Sequence, residues 1–183
     1  MASRVYREFH VASEEIKGLG SSALESAETR KALGERLTNF FQNEFNSLGG
    51  SLGYRYDPSP ICIPDGEPAP EDRLDEYVQT SRPGHRAPHV WIKDGVSTLD
   101  EFGDGFTLVR CGGEDMHCAA LQEAADARGV PMKTVALYEE PVRDLYPKNF
   151  TLVRPDGHVA WRDNVVGDQA SAILDAVTGT STP

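Results

Sequence analysis

Between Phe106 and Val177 the chain alternates strand-type and helix-type patterns in an order that few folds can use. Phe106 to Arg110, FTLVR, is a short β-rich run, and Glu114 to Arg128 is an alanine-rich helix closed by Gly129. Met132 to Leu137 is a second strand, which completes a βαβ unit with an expected right-handed crossover. Phe150 to Arg154 and His158 to Arg162 then flank Pro155-Asp156-Gly157, the residues of a tight hairpin. Finally, Asp168 to Val177 puts Ile173, Leu174 and Val177 on one helical face, with Gly179 as the stop.

A βαβ unit followed by a ββα unit predicts an α/β, thioredoxin-like core. Thioredoxin chemistry itself needs two thiols in exchange distance, the first activated at a helix N-terminus, normally as Cys-x-x-Cys. That motif is missing. Cys111 and Cys118 stand in RCGGEDMHC, where Gly112 and Gly113 leave a thiol switch conceivable but small buried residues the simpler reading. Asp115 and His117 lie between them, yet the spacing matches no usual zinc pattern, so no metal is expected.

Upstream, residues 1–50 read as a helical extension. Ser22 and Glu25 have capping-box spacing, and Leu33, Leu37, Phe40, Phe41, Phe45 and Leu48 recur every three or four residues. Gly49 and Gly50 are expected to end this helix as a left-handed cap. The apolar stripe packs on the chain's own sheet or docks a partner subunit. Leu52 to Tyr56, LGYRY, alternates weakly and predicts an edge strand. Asp57 to Pro88 holds seven of the twelve prolines and predicts a long ordered loop. The expected division is therefore a helical extension over 1–50, a proline-rich connector over 51–105, the thioredoxin-like core over 106–179 and a tail over 180–183.

With 183 residues, the chain can bury roughly 70% of its unfolded surface without staples. The 39% apolar and 26% charged fractions argue against disorder, and no run reaches the ~20 apolar residues of a membrane span. The net charge of −11 makes nucleic acid and anionic membranes poor partners, because phosphate binding rests on Lys and Arg. The opening residues MASRVYREFHVASEE lack a continuous apolar stretch, and three cysteines suggest no disulfide framework. A cytoplasmic protein with reduced thiols is expected.

Pro83 to Ile92, PGHRAPHVWI, is followed by Gly95, Thr98-Leu99-Asp100, Phe102-Gly103 and Gly105-Phe106-Thr107-Leu108, and later by RPDGHVAWR from Arg154 to Arg162. Together these blocks resemble the C-terminal domain of FAD-dependent aromatic-ring hydroxylases of the phenol hydroxylase type. The stretch from Leu48 to Pro60 resembles the link from the flavin domain into that tail, and the likeness runs from about residue 48 to about residue 178. The resemblance implies aromatic or polyketide metabolism. A dinucleotide site, however, needs a glycine-rich strand-to-helix turn, and no G-x-G-x-x-G follows a strand here. The chain is therefore expected to bind no cofactor itself and to meet FAD only through a partner flavoprotein.

The candidates for acid–base chemistry are His85, His89 and His158, with Pro88 keeping His85 and His89 off a regular helix. Structural roles compete at each: His89 with Arg86 as loop pins, and Asp156 with His158 as hairpin residues. Trp91 and Trp161 are expected to fill cores more readily than to bind ligands. Tyr54, Tyr56, Arg86, Trp91 and Arg143 are the candidate substrate-binding side chains. No nucleophile, base and orienting group are fixed together. Two readings follow. One is an auxiliary or structural domain of a hydroxylase whose partner is a flavoprotein subunit. The other is a cofactor-free isomerase, cyclase or lyase acting on a phenolic or polyketide-derived molecule through its histidines. A homodimer is compatible with either.

Overall fold

The computed structural model describes residues 26–45 and 47–180. These residues form two compact units, one holding the described residues up to 51 with 73–76, the other holding 52–72 and 77–180.

In the first unit, helix α1 spans Ala27–Phe45 and α2 runs over Leu48–Leu52, ending at the unit boundary. The Ser22–Glu25 capping box lies outside the described residues; within them, Ser26 Oγ accepts the Thr29 N–H at 3.5 Å. Leu33 and Leu37 are half-buried, whereas the side chains of Phe40, Phe41 and Phe45 lie outside what is described. The expected left-handed cap at Gly49 and Gly50 is corrected: both residues sit inside α2. Their smallness serves close approach instead, since the Gly49 N–H donates to the Leu74 carbonyl at 3.0 Å and a Cβ on Gly49 would run into the Arg73 and Glu76 carbonyls.

The second unit contains the sheet. A two-stranded ribbon, β1 (Trp91–Lys93) and β2 (Val96–Ser97), turns at Asp94-Gly95 and leads into a 3-10 turn over Thr98–Glu101. Then follow β3 (Phe106–Arg110), α3 (Asp115–Asp126), β4 (Met132–Ala136), α4 (Glu140–Leu145), β5 (Phe150–Val153), β6 (Val159–Asp163) and α5 (Ala170–Val177). The main sheet has the order β4-β3-β5-β6, with β3 parallel to β4 and antiparallel to β5, and β5 antiparallel to β6. This is the thioredoxin-like arrangement that the alternating pattern predicts. No described helix is long and apolar enough to cross a membrane.

Side-chain alternation along the strands divides the core in two. Leu108, Phe150, Leu152 and Trp161 pack with Leu121 of α3 and with Ile173, Leu174 and Val177 of α5. Val109, Val153 and Val159 pack with Val142 and Tyr146 at α4 and with Ala87 and Val90 of the incoming chain. Burying each of these larger side chains contributes roughly 1.5–3 kcal/mol. Trp161 is thus a core residue as expected, but Trp91 is not: it is 64% exposed on the ribbon, where among the described residues β1 pairs only with the two-residue β2.

Tyr54 and its neighbours form no edge strand, which corrects the reading of LGYRY. The Tyr56 N–H donates once, to the Gly84 carbonyl at 2.9 Å. The loop residues 83–87 instead run antiparallel to the hairpin end of β6: Gly84 N–H donates to the Val159 carbonyl at 2.7 Å, Val159 N–H to the His85 carbonyl at 2.9 Å, and Ala87 N–H to the Gly157 carbonyl at 2.9 Å. Gly84 has φ +86°, and a Cβ there would strike the Tyr56 carbonyl. Gly157 has a similar φ of +78° in open space. Gly84→Ala should therefore lower stability by at least about 2 kcal/mol, strain and overlap together, against about 1 kcal/mol for Gly157→Ala. Urea denaturation midpoints of the two variants check the difference.

Candidate functional site

The end of β6 carries a charged residue where an otherwise apolar strand is buried. Arg162 has a side chain only 4% exposed, and its guanidinium is shared among three partners on the proline-rich loop. Nε donates to Asp65 at 2.6 Å, one terminal nitrogen to Ser81 Oγ at 3.1 Å, and the other to Glu67 at 2.6 Å. Lys148 joins Glu67 at 2.8 Å, and Arg82 Nε donates to the Glu67 carbonyl at 2.9 Å. Burial alone would push the Asp65 carboxyl up, but hydrogen bonds from Arg162 and the Glu67 N–H, with the charges of Arg162 and Arg82, hold it below the usual carboxylate range.

At the opposite end of the hairpin, the His158 ring packs against Tyr54 and Tyr56, with centroids 5.1 and 4.7 Å away. The Arg154 guanidinium lies 5.6 Å from the Tyr56 ring centroid and pairs with Asp156 at 3.0 Å. His158 Nδ1 approaches the Asp156 carbonyl at 3.3 Å, while Nε2 is buried without a hydrogen-bond partner. His85 is 5% exposed, and among the described residues neither of its ring nitrogens makes a hydrogen bond, with the Pro83 and Arg82 carbonyls nearby. Beside Tyr56 lies a cavity of about 80 Å³ lined by Asp57, Cys62, Asp65 and Arg82 among others, with none of the histidines in its wall. Small-molecule pockets typically hold some 300–1,000 Å³, so this one suits water, not a phenol or polyketide.

The remaining candidates lie elsewhere. His89 meets Trp91 edge-on at 4.8 Å, and its N–H donates to Gln79 Oε1 at 2.6 Å. Arg86 pairs with His158 through an isolated main-chain bridge. Arg143 donates from Nε to the Cys111 carbonyl at 3.1 Å. Thus His158, Tyr54 and Tyr56 come together, with His85 joined to them through the main chain, whereas His89, Trp91 and Arg143 occupy other places. No pair among them is set as nucleophile and base.

The thiols are also quiet. Burial pushes Cys111 up to about 11 and raises Cys118, so neither is a thiolate at neutral pH. Among the described residues, no three His, Cys, Asp or Glu side chains converge as metal ligands. In the turn between β3 and α3, a Cβ on Gly112 would meet Asn149 and Arg143, and one on Gly113 would meet the Phe150 ring.

Residues 80–181 match the family described as aromatic-ring hydroxylase, C-terminal. The chain belongs to this family. It is 38% identical over 134 residues to an FAD-dependent monooxygenase of Emericella nidulans, covering 69% of this chain and 21% of that protein. It is 33% identical over 178 residues to a phenol 2-monooxygenase of a Pseudomonas species, covering 87% of this chain and 29% of the relative. Among solved structures it is similar to the rebeccamycin biosynthetic enzyme RebC with reduced flavin (34% identity, TM-score 0.71, 86% of this chain and 29% of that one). It is also similar to the flavin-dependent monooxygenase PieE in complex with FAD and substrate (31% identity, TM-score 0.73, 86% and 30%). The chain spans about a fifth to three tenths of the length of these relatives.

Several residues of this aromatic-ring hydroxylase C-terminal chain to which the sequence alone assigns no scaffolding role hold its blocks in place. Thr98 Oγ1 donates to the Pro88 carbonyl at 2.7 Å and accepts the Val90 N–H at 3.0 Å; Tyr146 donates to the same carbonyl at 2.8 Å. Asp100 accepts from the Ser97 N–H and hydroxyl at 2.7 and 2.9 Å. The readable signal for Arg162 was a cation in the inward-facing run VAWR, with Asp65 and Glu67 available in the loop. Because the Asp65 carboxyl is held low, its contribution is complete above the ordinary carboxylate value near 4 and is lost as pH falls below it. Acid unfolding followed by circular dichroism should show stability declining below about pH 4, and Asp65→Asn, less stable at neutral pH, should show a shallower decline.

Proposed function

We propose that this chain is the structural, non-flavin region of an FAD-dependent aromatic hydroxylase acting in aromatic or polyketide metabolism, and that it packs on the flavin-bearing region, whether that region is on the same polypeptide or on a partner. The observation that carries this reading is the use made of the residues in the family blocks. Arg162, Thr98, Asp100 and the 84–87 main chain all bind other parts of this chain. The histidines within the blocks, His85, His89 and His158, are packed into rings and backbone without an arrangement for proton transfer.

On this reading FAD belongs to the other region. The β3–α3 turn is filled by Asn149, Arg143 and Phe150 and does not fit a pyrophosphate, and the cavity beside Tyr56 is too small for an isoalloxazine ring. The free cysteines Cys62, Cys111 and Cys118 fit a reducing, cytoplasmic setting.

The purified chain should be colourless and give no heat on titration with FAD. Added to a hydroxylase flavin region that lacks its C-terminal part, it should co-elute on size exclusion and raise that region's thermal midpoint. Stoichiometric FAD binding by the chain alone, or a flavin region indifferent to its presence, would contradict the proposal.

A further inference from the structure

His85 occupies the crossing of three main-chain segments. Residues 53–57 form a strap fixed by the Tyr56 N–H to the Gly84 carbonyl; residues 83–87 lie under it; and 157–159 of the hairpin lie under those, tied by the Gly84, Val159 and Ala87 N–H groups. The imidazole at this crossing is buried, and both of its nitrogens lack a hydrogen-bond partner. A neutral ring is tolerated there at modest cost, but an imidazolium would bring two donors and a charge into a buried place whose nearby acceptors, the Pro83 and Arg82 carbonyls, make no formed hydrogen bond to the ring.

The two neighbouring cations, Arg55 and Arg82, act in the same direction. From the strap come Arg55 and Asp57, from the loop Asp72 and Arg82, and from the hairpin Arg154, Asp156 and His158. Arg55 and Arg82 both oppose a positive charge on His85. Asp72, the carboxylate that would favour a charge on His85, is already engaged by Arg55; Asp57 is paired with Arg55 at 3.6 Å and Arg82 at 3.4 Å, and Asp156 with Arg154 at 3.0 Å. Burial, with Arg55 and Arg82, pushes the His85 imidazole below its ordinary value despite the nearby Pro83 and Arg82 carbonyls. His158 differs in geometry, with Nδ1 3.6 Å from an Asp156 carboxylate oxygen.

We propose that His85 is a proton-sensitive latch: neutral, it lets the strap and the 83–87 segment close on the hairpin; protonated, it becomes a third cation beside Arg55 and Arg82 and releases both. The proton comes from solvent and binds a ring nitrogen in the opened form; no bond other than N–H is made. Because the closed form disfavours protonation, closure is complete above the ordinary imidazole value near 6.5 and weakens as pH falls below it. The device stands on this chain alone and does not depend on the function proposed above.

Amide hydrogen exchange of the full chain between pH 7.5 and 5.5, corrected for intrinsic exchange, reads the latch directly. The Tyr56, Gly84, Ala87 and Val159 amides should lose up to about tenfold in protection per pH unit below about 6.5, while the β3 amides hold theirs. His85→Phe and His85→Gln should each abolish the dependence. Protection that is flat in the wild type, or a slope retained by a folded variant, overturns the proposal. If neither variant folds, the wild-type ring decides: an imidazole NMR titration midpoint well below 6.5 supports the latch, and one at or above it overturns the latch.

Discussion

Arg162 reaches from the last strand of the sheet into the proline-rich loop and holds Asp65, Ser81 and Glu67 with one planar guanidinium. A loop with seven prolines between Asp57 and Pro88 makes few main-chain ladders of its own, so its position must come from side chains of the body it covers. Arginine suits this role because its donors point in fixed directions and can serve several acceptors at once. The same burial makes the arrangement sensitive: a charge so enclosed is tolerable only while its partners remain, and removing one partner of a buried pair typically costs about 3–5 kcal/mol.

With the loop anchored, the next segment can act as a false strand. Residues 84–87 continue the hydrogen bonding of the sheet past β6, and the Pro88 carbonyl is then fixed by Thr98 and Tyr146. The hairpin end of the β6 edge is thereby covered, which protects it from pairing with other chains. Ala87 and Val90 complete the second half of the core, so a segment without regular structure closes the hydrophobic layer opposite α3 and α5. The consequence for function is that His85, Thr98, His158 and Arg162, within the most recognisable blocks of the chain, face inward toward its own scaffold, while Trp91 stays exposed.

The core was legible in the sequence because its periods are clean. FTLVR and FTLV alternate between two buried faces, and Ile173, Leu174 and Val177 fall on one side of a single helix. LGYRY misled because weak alternation over five residues does not specify a partner; here Leu52 closes α2 and the Tyr56 N–H bonds to the Gly84 carbonyl. Gly49-Gly50 misled for a similar reason: paired glycines serve a left-handed cap or a close approach equally well, and the choice depends on Arg73 to Glu76, far along the chain. The Asp94-Gly95 turn was a readable hairpin signal that leaves Trp91 on a two-stranded ribbon, exposed. The candidate site was legible only in part. Tyr54, Tyr56 and His158 meet across about a hundred residues of sequence, and no spacing rule anticipates that contact.

The central claim is that Arg162 and Asp65 together hold the loop against the sheet. A double-mutant cycle with Arg162→Met, Asp65→Asn and the pair, read by denaturant unfolding, tests it most directly. The account predicts that each single change is costly and that the double variant loses far less than their sum, with a coupling of about 1–3 kcal/mol. Additive losses, within a few tenths of a kcal/mol, would contradict it.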